Sequence, residues 1–318
     1  MKVFHRLEDS AGLPFPIVTI GNFDGLHLGH RAVLQLVKQR AQELSGTVVV
    51  LTFDPHPLRV LAPELELRFL SDPEEKLALL EQAGVDVVVR LAFTHDFAAQ
   101  APEEFMRAVL SEGLGSRELY VGQNFRFGQG RLGTIQTLRD AAPRLGFTVR
   151  VISPVLVNGV EVSSTRIRDF IQAGAVAQAA AFLGRPYALG GRVIRGEGRG
   201  AGLGYPTANM LPPPGRVLPQ DGVYAAELQL ESHVFPAVTY IGRRPTFGQG
   251  ARQIEAHLLV SSPDLYEREV SVAFHERVRD DMVFDSPALL ARQMAQDVDR
   301  THEVLNSLSA ARTRVPST

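Results

Sequence analysis

The segment GNFDGLHLGH, Gly21 to His30, sets His27 and His30 three residues apart and brackets them with Gly25 and Gly29. Glycines there let a backbone approach a ligand closely, and a helix N-terminus attracts phosphate. Two imidazoles at such a point could donate hydrogen bonds to a triphosphate as charge develops on a leaving pyrophosphate. Taken alone, the pair reads equally well as two surface histidines, and it has no third partner nearby for zinc. Three later segments carry polar groups in the same half. TFDPHP, Thr52 to Pro57, holds His56 on a rigid turn between two prolines, the second being Pro57. VGQNFRFG, Val121 to Gly128, places Asn124 and Arg126 in a polar-aromatic loop. SSTRIR, Ser163 to Arg168, offers the hydroxyls of Ser163, Ser164 and Thr165, a helix start, and Arg166 or Arg168 for phosphate. In the other half, GEGRGAGLGYPTAN runs from Gly196 to Asn209. Backbone amides at Gly196, Gly198, Gly200 and Gly204 suit phosphate; after Pro206, the side chains of Thr207 and Asn209 are hard oxygen donors.

These residues need a frame. In the first half, short β-branched strands (17–20, 47–53, 86–91, 118–121 and 148–152) alternate with helical patterns (29–44, 73–83, 102–112 and 134–145). Continuously apolar strands separated by helices predict a doubly wound, Rossmann-like parallel sheet. In such a sheet the loops at the strand C-terminal ends form the ligand crevice, and each segment above follows a strand. A hairpin at Asn158-Gly159 and two short helices, 164–173 and 175–183, come next. From Tyr187 strands follow one another without helices, which predicts a small antiparallel β-barrel, closed by a helix over 287–305 with Leu290, Met294, Val298 and Leu305 near one face. The expected division is 1–184, 185–307 and a disordered tail over 308–318. Gly128, Gly130 and Gly133 satisfy GxGxxG, but the next strand ends without the acidic residue a dinucleotide site needs, so they are expected to form a flexible loop.

Composition removes several classes. Of 318 residues none is cysteine, so there is no disulfide framework and no thiolate chemistry, in keeping with a cytoplasmic setting. The formal net charge is -2, without the strong basic footprint of a nucleic-acid binder. No apolar run reaches membrane-spanning length. The lysines are Lys2, Lys38 and Lys76, and none lies in a Walker-A or protein-kinase pattern. Phosphate chemistry is therefore expected from backbone amides, histidine, arginine and metal. The sequence carries no signal of oligomeric state.

GNFDGLHLGH resembles the HxGH signature of the nucleotidylyltransferase superfamily, and more closely the N-terminal module of bacterial bifunctional riboflavin kinase/FAD synthetases. The three companion segments agree in order, and PTAN (Pro206–Asn209) resembles the riboflavin kinase signature. DGVYA (221–225), IGRRPTF (241–247) and IEAHLL (254–259) fit as well. The resemblance spans residues 1 to 307 and implies a six-stranded kinase barrel. It implies two reactions: riboflavin and ATP give FMN and ADP, then FMN and ATP give FAD and pyrophosphate. It further implies an ATP site in the first half at Gly21, Phe23, Asp24, Gly25, His27, Gly29, His30 and the SSTRIR residues. Flavin contacts would fall at His56, Pro57, Asn124 and Arg126. In the second half it implies a nucleotide site on the glycine loop, Mg2+ at Thr207 and Asn209, and Glu255 as the catalytic carboxylate. Glu255 and His257 share a strand face, which must face the ligand for that role to hold. The chain departs from the family at Ala201 and Gly202, where basic residues are usual, at Gln123, and at Glu267, where glycine is common; the last two are expected to tune affinity. Pantetheine-phosphate adenylyltransferases lack the PTAN barrel, class I aminoacyl-tRNA synthetases need a lysine-rich second signature, and a non-catalytic flavin-binding descendant would not need His27, His30, Thr207, Asn209 and Glu255 together.

Overall fold

The computed structural model describes residues 1–196, 204–243, 252–260 and 263–313, with side chains through 310. It divides into two compact units, Met1–Ser164 and Thr165–Thr318.

The first unit contains β1 (Lys2–Phe4), β2 (Pro16–Ile20), β3 (Thr47–Asp54), β4 (Val87–Ala92), β5 (Glu118–Gly122) and β6 (Thr148–Ile152). They form one parallel sheet in the order β1-β4-β3-β2-β5-β6. Helices α1 (Leu28–Leu44), α2 (Pro57–Leu61), α3 (Pro73–Gln82), the π-helical α4 (Phe105–Gly113) and α5 (Ile135–Leu145) connect the strands. Alternate residues of each central strand enter different cores. Val49 and Leu51 pack with Phe105, Met106 and Leu110. Val48 and Val50 pack with Leu34, Val37 and Leu80. That double burial is why the strands read as unbroken apolar runs. The strand order reverses between β2 and β5, and this switch point opens the crevice from which the GNFDGLHLGH loop emerges.

Local chemistry fixes the helix starts. Asp72 caps α3 by accepting the Glu75 amide at 2.8 Å, and Thr134 caps α5 in a reciprocal box with Thr137. The hairpin β7 (Leu156–Val157) and β8 (Val160–Glu161) turns through Asn158 and Gly159, both with positive φ.

Two expectations change in this unit. β1 was not foreseen: three residues carry too little periodicity to signal a strand, yet pairing with β4 completes the sheet edge. The Gly128–Gly133 loop, expected to be flexible, packs at its two ends, while Gln129–Leu132 between them are exposed. A Cβ on Gly133 would lie 2.8 Å from the Phe127 ring, one on Gly128 2.9 Å from Pro102, and Phe127 bridges to Gly133. Gly128 and Gly133 allow close approach, whereas Gly130 meets no tight contact and has a positive φ of 59°.

The second unit begins at Thr165, one residue into α6 (Ser164–Gln172), and takes in α7 (Val176–Leu183); the expected division at 184 places both helices in the first region. Strands β9 (Tyr187–Ile194), β10 (Ala208–Met210), β11 (Gly222–Leu230), β12 (His233–Arg243), β13 (Arg252–Leu258) and β14 (Glu269–Asp280) close into an antiparallel barrel, ordered β10-β13-β12-β11-β14-β9. Its interior holds Leu189, Tyr224, Leu228, Ile241, Ile254 and Phe274. β10, which no strand expectation covers, pairs through its three residues with both β13 and β9 and completes the closure.

Helix α8 (Pro287–Thr313) runs past the expected end at 305, so residues 308–313 of the expected disordered tail are helical, and 314–318 lie outside the described residues. Its deepest residues are Asp297, Thr301 and Val304, while Leu290, Met294, Val298 and Leu305 are half-buried. The polar pair is held by chemistry: Arg279 on β14 grips the Asp297 carboxylate with two bonds of 2.9 Å, and Thr301 Oγ donates to the Asp297 carbonyl at 2.8 Å.

Candidate active sites

The loop between β2 and α1 is strained and braced. Phe23, Gly25 and Leu26 all have positive φ (51°, 76° and 39°). For two non-glycine residues this costs roughly 1–3 kcal/mol each. The buried Asp24 carboxylate offsets the cost by accepting the amides of Leu70 (2.9 Å) and Ser71 (3.1 Å), while the Gly25 amide donates to Ser71 Oγ at 3.0 Å. Ser164 Oγ donates to the Asp24 carbonyl at 3.0 Å. Asp24 and Gly25 thus shape the loop from beneath.

The two histidines are stacked, with ring centroids 3.6 Å apart. His27 is the N-cap of α1: its Nδ1 accepts the His30 amide at 3.3 Å. That bond places the His27 proton on Nε2, leaving an N–H donor for a ligand. A Cβ on Gly29 would stand 3.2 Å from the His27 ring, so glycine is what lets this ring lie against the helix start. His30 is held well below its ordinary pKa by burial first, then by His27 and Lys76. It is therefore neutral near pH 7, a donor without charge, and its buried Nδ1 has no hydrogen-bond partner among the described residues.

A cavity of about 260 Å3 opens here, lined by Gly21, Phe23, His27, Gly29, His30 and Asn124, among others. Glu161 also lines it, and Asn124 Nδ2 donates to Glu161 Oε1 at 3.4 Å. Gln123 is at this wall too. His56 departs from expectation. Its Nδ1 accepts the Leu58 amide at 3.1 Å and caps α2, with its ring 5.4 Å from Phe69, so the turn opens a helix instead of simply presenting an imidazole. Pro57 is the first residue of that helix. His56, Pro57 and the exposed Arg126 lie outside the cavity lining. Ser163 and Ser164 close the first unit; Thr165, Arg166 and Arg168 continue on α6 in the second.

In the barrel unit a larger cavity, about 870 Å3, is lined by Gly196, Gly204, Pro206, Thr207, Asn209 and His257, among others. Asn209 Nδ2 donates to the Thr207 carbonyl at 3.1 Å. This bond turns the amide so that Oδ1 is the atom left for a ligand. Gly196 leaves room beside it, since a Cβ there would meet the Asn209 amide. His257 Nδ1 lies 2.9 Å from the Pro206 carbonyl, which ties β13 to the PTAN segment. Among the described residues no group of three His, Cys, Asp or Glu could hold a metal. Gly198, Gly200, Ala201, Gly202 and most of IGRRPTF lie outside the described residues.

Glu255 is buried (5 % exposed) on the strand face opposite Ile254, Ala256 and Leu258, which fill the barrel. It pairs directly with Asn209 on one side and Tyr240 on the other, so the three side chains share the outer face. The Tyr240 phenol is pushed far up by burial, then by Asp281, Glu255 and Asp221. Arg252, three residues before Glu255, bonds Asp221 at 2.5 Å.

The FAD synthetase family matches residues 14–166, and the riboflavin kinase family matches residues 183–305. A bifunctional riboflavin kinase/FMN adenylyltransferase of Escherichia coli K12 is 38% identical over 300 residues, covering 93% of this chain and 96% of that protein. The chain belongs to this bifunctional family. A member from Bacillus subtilis is 32% identical over 88% of this chain and 90% of its own length. A crystal structure described as a macrolide-efflux protein from Streptococcus pneumoniae superposes with a TM-score of 0.86 at 29% identity, covering 94% of this chain and 98% of that one. Among the described residues no helix is long and apolar enough to cross a membrane.

Sequence reading missed three neighbours of these sites. Lys76, Glu161 and Tyr240 belong to no motif and reach the sites only through packing of α3, the β7–β8 hairpin and β12. The scarcity of lysine was the one available signal for Lys76.

Proposed function

We propose that the first unit adenylylates FMN and the barrel unit phosphorylates riboflavin, each with ATP as co-substrate. The observation that carries this reading is that both signature segments line cavities: the stacked His27–His30 pair in one, Thr207 and Asn209 in the other. An FMN phosphate has a second pKa of about 6 and is anionic at neutral pH. An FMN phosphate oxygen attacks the α-phosphorus of ATP, the bond to the β-phosphate oxygen breaks, and pyrophosphate leaves. No protein base is needed. The donors on His27 and His30 meet the charge on the leaving group, and a neutral His30 gives a hydrogen bond without competing for a proton.

Riboflavin's terminal hydroxyl is a poorer nucleophile. Glu255 takes its proton as the hydroxyl attacks the γ-phosphorus and ADP departs. Asn209 is Glu255's strand partner, so base and nucleotide-binding groups are one pairing apart. Thr207 Oγ1 and Asn209 Oδ1 fit a nucleotide-borne Mg2+, which takes one or two protein oxygens and completes its shell with phosphates and water. When bound, the ion would neutralise phosphate charge. A cytoplasmic setting belongs to the same reading.

The test supplies riboflavin or FMN separately, with Mg-ATP, and follows the flavins by chromatography. His30→Ala should lower FAD formation about 10²–10³-fold and leave FMN formation intact. Glu255→Ala should lower FMN formation about 10²–10⁴-fold and leave conversion of added FMN intact. Loss of both steps from either substitution would sink the assignment.

A further inference from the structure

Lys76 lies on α3, outside every motif. Its Nζ donates to the carbonyl of Asn22, inside the signature loop, at 3.4 Å. The ammonium is half-buried, and no carboxylate among the described residues is within ion-pair distance. The nearby acids are otherwise engaged. Asp24 accepts the amides of Leu70 and Ser71, and Asp54 at the end of β3 faces Arg90 of β4 at 3.5 Å. Burial lowers the Lys76 pKa, Asp24 and Asp54 oppose that, and Arg90 adds to it. A desolvated cation resting on one carbonyl is costly unless an anion is due to arrive.

The peptide plane gives the contact a direction. A trans peptide points its carbonyl and its following N–H to opposite sides. With the Asn22 carbonyl turned to Lys76, the Phe23 N–H points away from Lys76. That N–H has no acceptor among the described residues, and Phe23 lines the His27–His30 cavity.

We propose that Lys76 is a positioning residue for adenylyl transfer: it pins the Asn22–Phe23 peptide in the strained loop and sets a fixed positive charge behind His30 for the phosphate chain of a nucleoside triphosphate. The proposal rests on the assignment of adenylyl transfer to the first unit. Lysine thus joins the phosphate chemistry of this chain, against the expectation from motifs. The groups facing His30 are His27 on the same loop, Lys76 from α3 and Glu161 across the cavity.

The experiment compares full-length Lys76→Met, Lys76→Gln and Lys76→Arg with the parent chain. It measures kcat and KM for ATP with FMN supplied, the pH profile of that step, and riboflavin phosphorylation as an internal control. In Lys76→Met and Lys76→Gln, kcat/KM for ATP should fall at least about tenfold. Their acid limb should move to higher pH, because loss of the charge lets His30 protonate sooner. Lys76→Arg should recover most of the rate and the parental limb, and FMN formation should be unchanged throughout. A parental limb in both neutral variants, or equal loss in the arginine variant, would overturn the role of Lys76. If one neutral variant fails to fold, the other and the arginine variant decide. A parent chain that makes no FAD from FMN would instead overturn the underlying assignment.

Discussion

His27 does two jobs with one ring. Nδ1 closes the first turn of α1, and that bond leaves the proton on Nε2 for a ligand. His30, stacked on it, cannot easily carry a charge, because burial first, then His27 and Lys76, disfavour protonation. The sign of the pH effect follows. The folded pKa lies below the ordinary value of about 6.5, so the unfolded chain binds this proton first on acidification. Stability linked to His30 is complete above pH ~6.5 and is lost as pH falls towards the lowered value. Melting temperatures from pH 8 to 5 should therefore drop more steeply for the parent chain than for His30→Gln. Parallel curves would refute it. Glu267 shows the same dependence on local conformation. Its φ of 62° is one that glycine adopts freely, and its carbonyl accepts Arg192 Nε at 3.1 Å. The left-handed backbone gives glycine a conformational advantage at this position, independent of the affinity role expected for Glu267.

Among elements, α8 is anchored at its centre by a buried ion pair. Its apolar stripe is only half-buried, and the centre of the interface is the Arg279–Asp297 pair, with Asp297 3 % exposed. Removing one partner of a buried pair strands the other charge, at a cost of about 3–5 kcal/mol. Asp297→Ala should lower the unfolding free energy of the barrel unit by that amount, read by urea titration of the full chain. A loss below about 1 kcal/mol, as for an exposed pair, would show that the barrel holds α8 by other means. The β2–α1 loop works differently. Its strained residues keep their shape because Leu70, Ser71 and Lys76, from α3 and the segment before it, hold Asp24, Gly25 and Asn22.

At the scale of the whole molecule, two cavities with separate chemistry make one metabolic sequence, the product of the second unit being the substrate of the first. If the two sites act independently, FMN passes between them through solution. Mixing the His30→Ala and Glu255→Ala chains should then restore FAD synthesis from riboflavin, after a lag in which free FMN accumulates. No FAD from the mixture, with each single activity intact, would mean that FMN does not leave the chain that made it.

The local sequence determined much of this protein. Apolar runs in Thr47–Asp54 and Val87–Ala92 and the strand-to-strand succession after Tyr187 fixed a parallel sheet and a barrel, because periodicity and connection length are local properties. His27, His30, Thr207, Asn209 and Glu255 were legible for the same reason: ordered motifs carry their own turns and caps. Other features required chain segments far apart in sequence. The three-residue strands Lys2–Phe4 and Ala208–Met210 are stabilised only by their neighbours. His56 packs on Phe69 and Gly128 on Pro102 through contacts no local pattern encodes. The opening motif kept its histidines and gained a lysine 46 positions beyond His30, since burial and the direction of a carbonyl exist only once α3 has docked.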